Sequence, residues 1–244
     1  MRGRLRSGPP LLGIFVQTPS GVVAELISGL GVDFVCVEAE HSAMGRETVQ
    51  ALVAAAGCPA FVRVAQNASV EIAAALDAGA AGVIVPRVDS ADEAAAAVAA
   101  ARYPPEGVRG LGPGRATGYG RTIADYFGRA NGEIAVGVQI ESVAAVEHVE
   151  EIVRVEGIDF IFIGPGDLTV SLGVPFGDAR VAEAVDGVIA AATAVGLPVG
   201  IWTPTAVQAA GWFGRGVQLV ILGSDLAFLG GAVEQAVADA RAPR

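Results

Sequence analysis

The chain contains no lysine: all 16 of its basic residues are arginine. That absence removes every mechanism that needs a lysine amine. Schiff-base aldolases, pyridoxal enzymes and NTPases with a phosphate-loop lysine are excluded, as is a lysine general base. Positive charge is also scarce overall, with 26 acidic residues against those 16 arginines and a net charge of −10. A protein that binds nucleic-acid phosphates needs a basic face, so no nucleic-acid partner is expected. Only two cysteines occur, Cys36 and Cys58, in apolar runs without metal-type spacing. They read as buried free thiols in a reducing compartment. No apolar run reaches the roughly 18 residues of a membrane span. The basic opening, Met1–Pro10, is not followed by an apolar signal core. The expectation is a cytoplasmic protein that handles small molecules, with no membrane partner.

What is present is alternation. Short runs rich in Val, Ile and Phe predict strands at Gly13–Gln17, Asp33–Ala39, Ala60–Val64, Gly82–Arg87, Ile134–Glu141, Asp159–Gly164, Pro198–Thr203 and Leu219–Gly223. Ala-rich stretches between them predict helices at Ser20–Leu30, Arg46–Gly57, Ser69–Ala78, Ser90–Arg102, Val143–Val155, Ala179–Val195, Thr205–Phe213 and Asp225–Ala240. Several open on Ser, Thr or Asp and close at Gly, the usual helix boundaries. Continuously apolar strands are buried on both faces, as parallel strands under helices are. Eight such βα units in 244 residues predict a (β/α)8 TIM barrel, with residues 1–244 as a single domain. A doubly wound sheet is the alternative, but no Gly-rich dinucleotide turn follows the first strand. One long interruption, Tyr103–Arg121, is rich in Gly, Pro and Arg; connections of that length are usually functional or mobile.

In a barrel of this kind the C-terminal ends of the strands form the mouth of the active site. Polar groups cluster at those ends. Glu38, Glu40 and His41 end the second strand, Arg63 the third, Arg87 the fourth, and Gln139 and Glu141 the fifth, while Asp167 follows the sixth. Any one of them alone reads as a solvated rim residue; together they define a chemistry. Glu141 and Asp167, on neighbouring strands, suit a hard divalent cation such as Mg²⁺ or Mn²⁺ and leave coordination positions open. An arginine offers a carboxylate a two-pronged fork. A histidine beside an acid moves a proton near neutral pH. Metal, clamp and proton shuttle are what enolising a 2-oxo acid requires, and a metal replaces the missing iminium as electron sink.

Further segments carry a likeness. They are Ala24-Glu25-Leu26, Glu40-His41, Val62-Arg63-Val64, Leu76-Asp77-Ala78-Gly79, Arg102-Tyr103-Pro104-Pro105 with Gly107-Val108-Arg109-Gly110, Val138-Gln139-Ile140-Glu141 and Phe162-Ile163-Gly164-Pro165-Gly166-Asp167-Leu168. From Gly13 to about Ala240 the chain resembles the HpcH/HpaI class II pyruvate aldolases, of the 4-hydroxy-2-oxoheptanedioate or 2-keto-3-deoxy-sugar-acid type. The resemblance implies reversible cleavage of 4-hydroxy-2-oxo acids to pyruvate and an aldehyde, with Mg²⁺, Mn²⁺ or Co²⁺ as cofactor. It implies that Glu141 and Asp167 bind the metal, and that Arg63 contacts the pyruvyl oxygens. His41 would be the acid/base, served by the acid three positions earlier, with Gln139 supporting the site. The N–H groups of Gly166 and Asp167 would hold the carboxylate, and Asp77 would reach the site of an adjacent subunit. A trimer of dimers that exchanges the last helix, 225–240, is implied as well.

The chain departs from that pattern in places. Glu38 stands where the family commonly has Asp, and Gly166 where Ala is frequent. Trp202 falls where the aldehyde pocket is expected. His148, on an acidic helix, reads as a surface residue, while Arg109, Arg115 and Arg121 read as solvated loop residues or as gates of the mouth. Two other functions fit the same barrel: a carbon–carbon lyase or synthase for acyl-CoA or oxaloacetate-type substrates, and a non-catalytic 2-oxo-acid binding protein.

Overall fold

Eight strands appear where the apolar runs lie: β1 (Leu11–Val16), β2 (Phe34–Glu38), β3 (Ala60–Arg63), β4 (Gly82–Val85), β5 (Ala135–Ile140), β6 (Phe160–Ile163), β7 (Val199–Thr203) and β8 (Leu219–Ser224). In the computed structural model, which describes residues 1–242, each strand pairs in parallel with the next. β8 returns to β1, and the sheet closes into a (β/α)8 barrel. Pro243 and Arg244, the end of the expected domain, lie outside the described residues.

The helices are α1 (Arg2–Ser7), α2 (Gly21–Ser28), α3 (Arg46–Ala55), α4 (Ser69–Asp77), α5 (Ala91–Ala101), α6 (Ile123–Glu133), α7 (Val143–Glu147), α8 (Val149–Ile152), α9 (Pro165–Ser171), α10 (Ala179–Ala194), α11 (Ala206–Gly214) and α12 (Asp225–Arg241). Five open on a side-chain cap: Ser90, Ser142, Asp178, Thr205 and Ser224 each accept a first-turn N–H. Three helices were not expected from the sequence. α1 lies in the basic opening; α6 contains Gly128 and Gly132, which weaken a helical pattern. α9 starts directly on Pro165, which tolerates the first turn because its missing N–H has no partner there. The expected helix 143–155 is two, divided at His148.

Apolar side chains form two layers. One fills the space between sheet and helices, and the other fills the barrel itself. Inside, Phe34, Phe61 and Phe160 meet edge to face, with centroids 5.3 and 5.8 Å apart. Room for these rings comes from glycines on the adjoining strands: a Cβ at Gly13 or Gly137 would stand about 2.3 or 2.2 Å from the Phe34 or Phe160 ring. Large and small residues thus alternate so that the interior is packed rather than open.

The closed end of the barrel is held by charge. Asp159, fully buried, accepts hydrogen bonds from Arg102 Nη2 at 2.6 Å, Arg2 Nε at 2.5 Å and the Val136 N–H at 3.0 Å. The basic opening of the chain is therefore a plug: α1 buries Leu5 and turns Arg2 and Arg6 onto Asp159, while Arg4 pairs with Asp33. Removing one partner of a buried ion pair strands the other without solvent. Asp159→Ala should lose about 3–5 kcal/mol by that rule, a fall in Tm of roughly 10 °C for this length. Thermal denaturation followed by circular dichroism, with the exposed pair Arg215–Asp186 broken as a control, measures it.

At the other end of the chain, α12 buries only its first residue. Asp225 accepts the N–H groups of Gln17 and Thr18 at 2.9 Å, pinning the start of the helix to the end of β1. Beyond it Leu226, Leu229, Val233 and Val237 form an exposed apolar stripe at helical spacing. Val22, Leu26 and Val207 on α2 and α11 are exposed as well.

Candidate active site

A cavity of about 340 Å³ opens at the C-terminal ends of the strands, lined among others by His41, Arg63, Asp167, Phe15, Trp202 and Ser224. Arg63, the last residue of β3, is buried. Its guanidinium lies 4.7 Å from the Phe15 ring centre and is gripped by Glu38, with Nε and Nη2 at 2.6 and 2.5 Å from Oε2. The other oxygen of Glu38 accepts the main-chain N–H groups of Glu40 and His41, at 2.7 and 2.9 Å. Here the structure departs from the reading of Glu38 as the acid that serves the His41 ring. Its longer side chain carries the carboxylate onto Arg63 instead, and only the backbone of His41 meets it.

Beside the ring stands Glu40. Its Oε2 is 3.8 Å from His41 Nε2 and 3.5 Å from Arg63 Nε, and its Oε1 is 3.5 Å from Arg87 Nε. Burial pushes the Glu40 carboxyl above its usual range, against the pull of Arg63, His41 and Arg87.

Glu141, just past β5, is buried; its Oε1 accepts the Arg87 N–H at 2.7 Å, and its Oε2 accepts from Gln139 Nε2. Arg87 reaches that position with a left-handed backbone, φ 55°, which a non-glycine residue adopts only under strain and which tends to occur at functional sites. Burial raises the Glu141 carboxyl, opposed by the Arg87 and Gln139 hydrogen bonds and reinforced by Glu40 and Asp167. Close to it, a Cβ on Gly164 would stand 3.0 Å from Gln139 Nε2 and 3.1 Å from Glu141 Cβ, so glycine lets the β6 loop draw near. Gly166 and Asp167 follow in the first turn of α9, where a helix leaves its N–H groups without internal partners.

The donor set fits a hard divalent cation. Buried Gln139 Oε1 has no hydrogen-bond partner, and two carboxylates with an amide oxygen are the oxygen ligands such ions take. Among the described residues no three His, Cys, Asp or Glu gather as a complete cage. An incomplete protein shell leaves positions for a substrate and water.

A sequence model described as HpcH/HpaI aldolase/citrate lyase matches residues 11–230. The chain belongs to that family. A hydroxypyruvate/pyruvate aldolase of Sagittula stellata is 45% identical over 178 residues, covering 71% of this chain and 70% of that protein. A pyruvate aldolase of Rhizobium etli is 39% identical over 93% of this chain and 91% of its own length. A family member from Burkholderia cenocepacia, with a solved structure, superposes with a TM-score of 0.93 at 34% identity, over 99% of this chain and 98% of that one. The citrate lyase beta subunit of M. tuberculosis, solved with oxaloacetate and magnesium, shares the fold at 14% identity and a TM-score of 0.58, over 90% and 93% of the two chains.

Within this family member, other expected residues fall in three places. Trp202, half-buried, lines the cavity and also, with Pro165, walls an adjoining apolar cavity of about 330 Å³. Asp77 is not in the cavity of its own chain: it ends α4, at the opposite end of the barrel, and accepts from Arg109 Nη2 at 2.7 Å. Arg109 is neither solvated nor at the mouth. It is buried, stacked 4.7 Å from the Tyr103 ring centre and 5.7 Å from that of Tyr126. The 103–121 segment runs from α5 to α6, within the connection that leads on to β5, which places it at the closed end; Arg115 there donates to the Ala78 carbonyl at 3.1 Å, beneath α4. His148 is a surface residue, with Nδ1 3.1 Å from the Asp89 carbonyl. Glu40 and Arg87 stood in the sequence among the strand-end polar groups; for Arg87 that position was the only signal, while Glu40 also stood in the Glu40-His41 segment of the family likeness.

Proposed function

We propose that the chain is a divalent-metal-dependent aldolase that cleaves 4-hydroxy-2-oxo acids reversibly to pyruvate, or a related 2-oxo acid, and an aldehyde. The observation that carries this is the convergence of Arg63, His41 and Asp167 on one cavity, with Glu141 behind it. The names of the aldolase relatives support it.

Glu141 and Asp167 would hold the cation, with Gln139 beside them. When bound, Mg²⁺, Mn²⁺ or Co²⁺ supplies Lewis-acid polarisation of a 2-oxo carbonyl. The chain's own groups do the rest. The Arg63 fork, immobilised by Glu38, faces the oxygens on which negative charge grows as the C3–C4 bond breaks. First-turn N–H groups at Gly166 and Asp167 suit the substrate carboxylate. His41 takes the C4 hydroxyl proton. Trp202 bounds the space left for the aldehyde.

A screen for pyruvate release across 4-hydroxy-2-oxo acids with each of the three metals tests the reading. Activity should fall after EDTA treatment and return with added metal. Cleavage of acyl-CoA or oxaloacetate-type substrates without pyruvate release would move the assignment to the sister lyase and synthase reactions. Oxalate binding with neither turnover nor exchange of the pyruvate methyl protons would make the chain a binding protein.

The same reading includes an assembly, the trimer of dimers, in which residues 225–240 pass to a neighbour and Asp77 meets the neighbour's cavity. The exposed stripe on α12 supports it, since an apolar helix face of this length requires a partner. Light scattering should give a hexamer for the wild type and a smaller particle for Leu229→Glu/Val233→Glu. The free Cys36 and Cys58 suit a cytoplasmic location.

A further inference from the structure

We propose that Glu40 is the carboxylate that works with His41, and that Glu38, which the sequence spacing offers for that task, is the positioning residue of Arg63. The proposal rests on the aldolase reading and assigns its proton path.

An ionised carboxylate accepts about four hydrogen bonds. Glu38 already takes three, from the N–H groups of Glu40 and His41 and from Arg63 Nε, and Arg63 Nη2 crowds the same oxygen as the Nε bond at 2.5 Å. It is completely buried, with no face left for an imidazole. Those bonds close the turn after β2 and lock the guanidinium over the cavity floor, which is a positioning task. An aspartate, one methylene shorter, would bring its carboxylate to different partners, so the division of labour follows from Glu at this position.

Glu40 is the complement. Its side chain is 4% exposed, and its Oε2 is buried without a hydrogen-bond partner. Three cationic or proton-bearing groups surround it at 3.5–3.8 Å, each just beyond bonding distance. A buried oxygen left unbonded in this way is costly unless something completes it. A proton shared with His41 Nε2 completes it, over a gap that one small side-chain movement or one water spans. Hydrogen bonds of this kind commonly tighten only when substrate is bound. With Nε2 turned to Glu40, His41 keeps Nδ1 for the substrate.

The proton count closes without a co-reactant. In cleavage, the C4 hydroxyl proton passes to the His41–Glu40 pair and the C3–C4 electron pair remains on C3 as the enolate. The pair then returns that proton to C3, giving the pyruvate methyl group. The charged groups that face Glu40 and shape its pH response are His41 and Glu38 on the β2 turn, Arg63 from β3, Arg87 after β4 and Glu141 after β5.

Pyruvate release by the wild type, Glu40→Gln, Glu40→Asp and Glu38→Gln, as a function of pH and with Mg²⁺ present, decides the matter beside calorimetry with oxalate. Glu40→Gln should lower kcat about 10²-fold and displace the acid-side limb of the kcat/KM profile, while oxalate affinity stays within about threefold. Glu40→Asp keeps the charge and should recover part of kcat; if the glutamine variant does not fold, reduced kcat with unchanged KM in the aspartate variant carries the test. Glu38→Gln should weaken oxalate binding and raise KM, leaving the acid-side limb in place. Glu40 variants with wild-type kcat and pH profile overturn the proposal, as does a Glu38→Gln enzyme that loses the limb while binding oxalate normally. A wild type that releases no pyruvate from any substrate overturns the aldolase reading, and this proposal with it.

Discussion

Arg63→Lys should lower kcat about 10²–10³-fold, the range seen when one preorganised donor to a developing oxyanion is removed. Charge is conserved, so a role limited to long-range attraction would leave activity nearly intact. Geometry is what changes. The guanidinium uses Nε and Nη2 on Glu38, both on one edge of the fork, and holds its remaining donors toward the cavity. An ammonium has three donors on a flexible stem and no fixed plane. It can satisfy Glu38 or face the substrate, but it cannot do both in a set orientation. The Phe15 contact at 4.7 Å also loses its planar partner. The protein should still fold, because a cation remains for the buried Glu38 carboxylate. Steady-state pyruvate release with a circular dichroism check measures the effect; an Arg63→Lys enzyme within about fivefold of wild type would mean that orientation at this position contributes little to the reaction.

The barrel was legible because its strands repeat one physical condition. Each is flanked by helices and by its neighbours, so β6, Phe160–Ile163, reads as an unbroken apolar run, as does β8 from Leu219 to Leu222. α6 and α9 were hidden for opposite reasons: glycines dilute the first, and the second begins where a Gly-Pro-Gly turn signal masks a helix start. The candidate site was legible as a location, since polarity at strand ends is a topological signal. It was not legible as a set of pairings. Glu38 and Glu40 sit two positions apart in the same turn, and spacing alone offered the first of them to His41. Which carboxylate lies beside the ring depends on where Arg63 draws Glu38, and Arg63 is 25 residues further on. The 103–121 segment shows the same limit. Its arginines suggested a gate, but a segment between α5 and α6, on the way to the start of β5, lies at the closed end, and there Arg109 packs between tyrosines.

The absence of lysine takes on a definite meaning in this geometry. All fixed positive charge near the cavity is guanidinium, at Arg63 and Arg87. A guanidinium keeps its charge at any working pH, so neither residue can act as a proton carrier. Proton transfer is left to His41 and the carboxylates around it. Electron withdrawal from a carbonyl is left to whatever Glu141 and Asp167 hold.

Glu141→Gln tests that second task with two readouts of opposite sign. Activity should fall by at least about 10³-fold, since Lewis-acid stabilisation is worth several kcal/mol and each 1.36 kcal/mol is a factor of ten. Stability of the metal-free protein should move the other way. Burial raises the native Glu141 carboxyl above its ordinary value of 4.5, so the folded chain holds that proton more tightly than the unfolded one. The resulting contribution to stability is fully present below that value and is lost as pH rises through the raised native value. Above it, the wild type carries a charge facing Glu40 and Asp167 that the amide lacks. After EDTA treatment at pH 7–8, Glu141→Gln should therefore melt at or above the wild-type Tm, with the difference shrinking as pH falls towards 4.5. Added Mg²⁺ should then raise the wild-type Tm and leave the variant unchanged, because a ligand stabilises only the state that binds it. If Mg²⁺ shifted both proteins equally, Glu141 would not be a ligand; if the metal-free variant melted well below the wild type, the carboxylate would be a structural group whose bonds to Arg87 and Gln139 outweigh its burial.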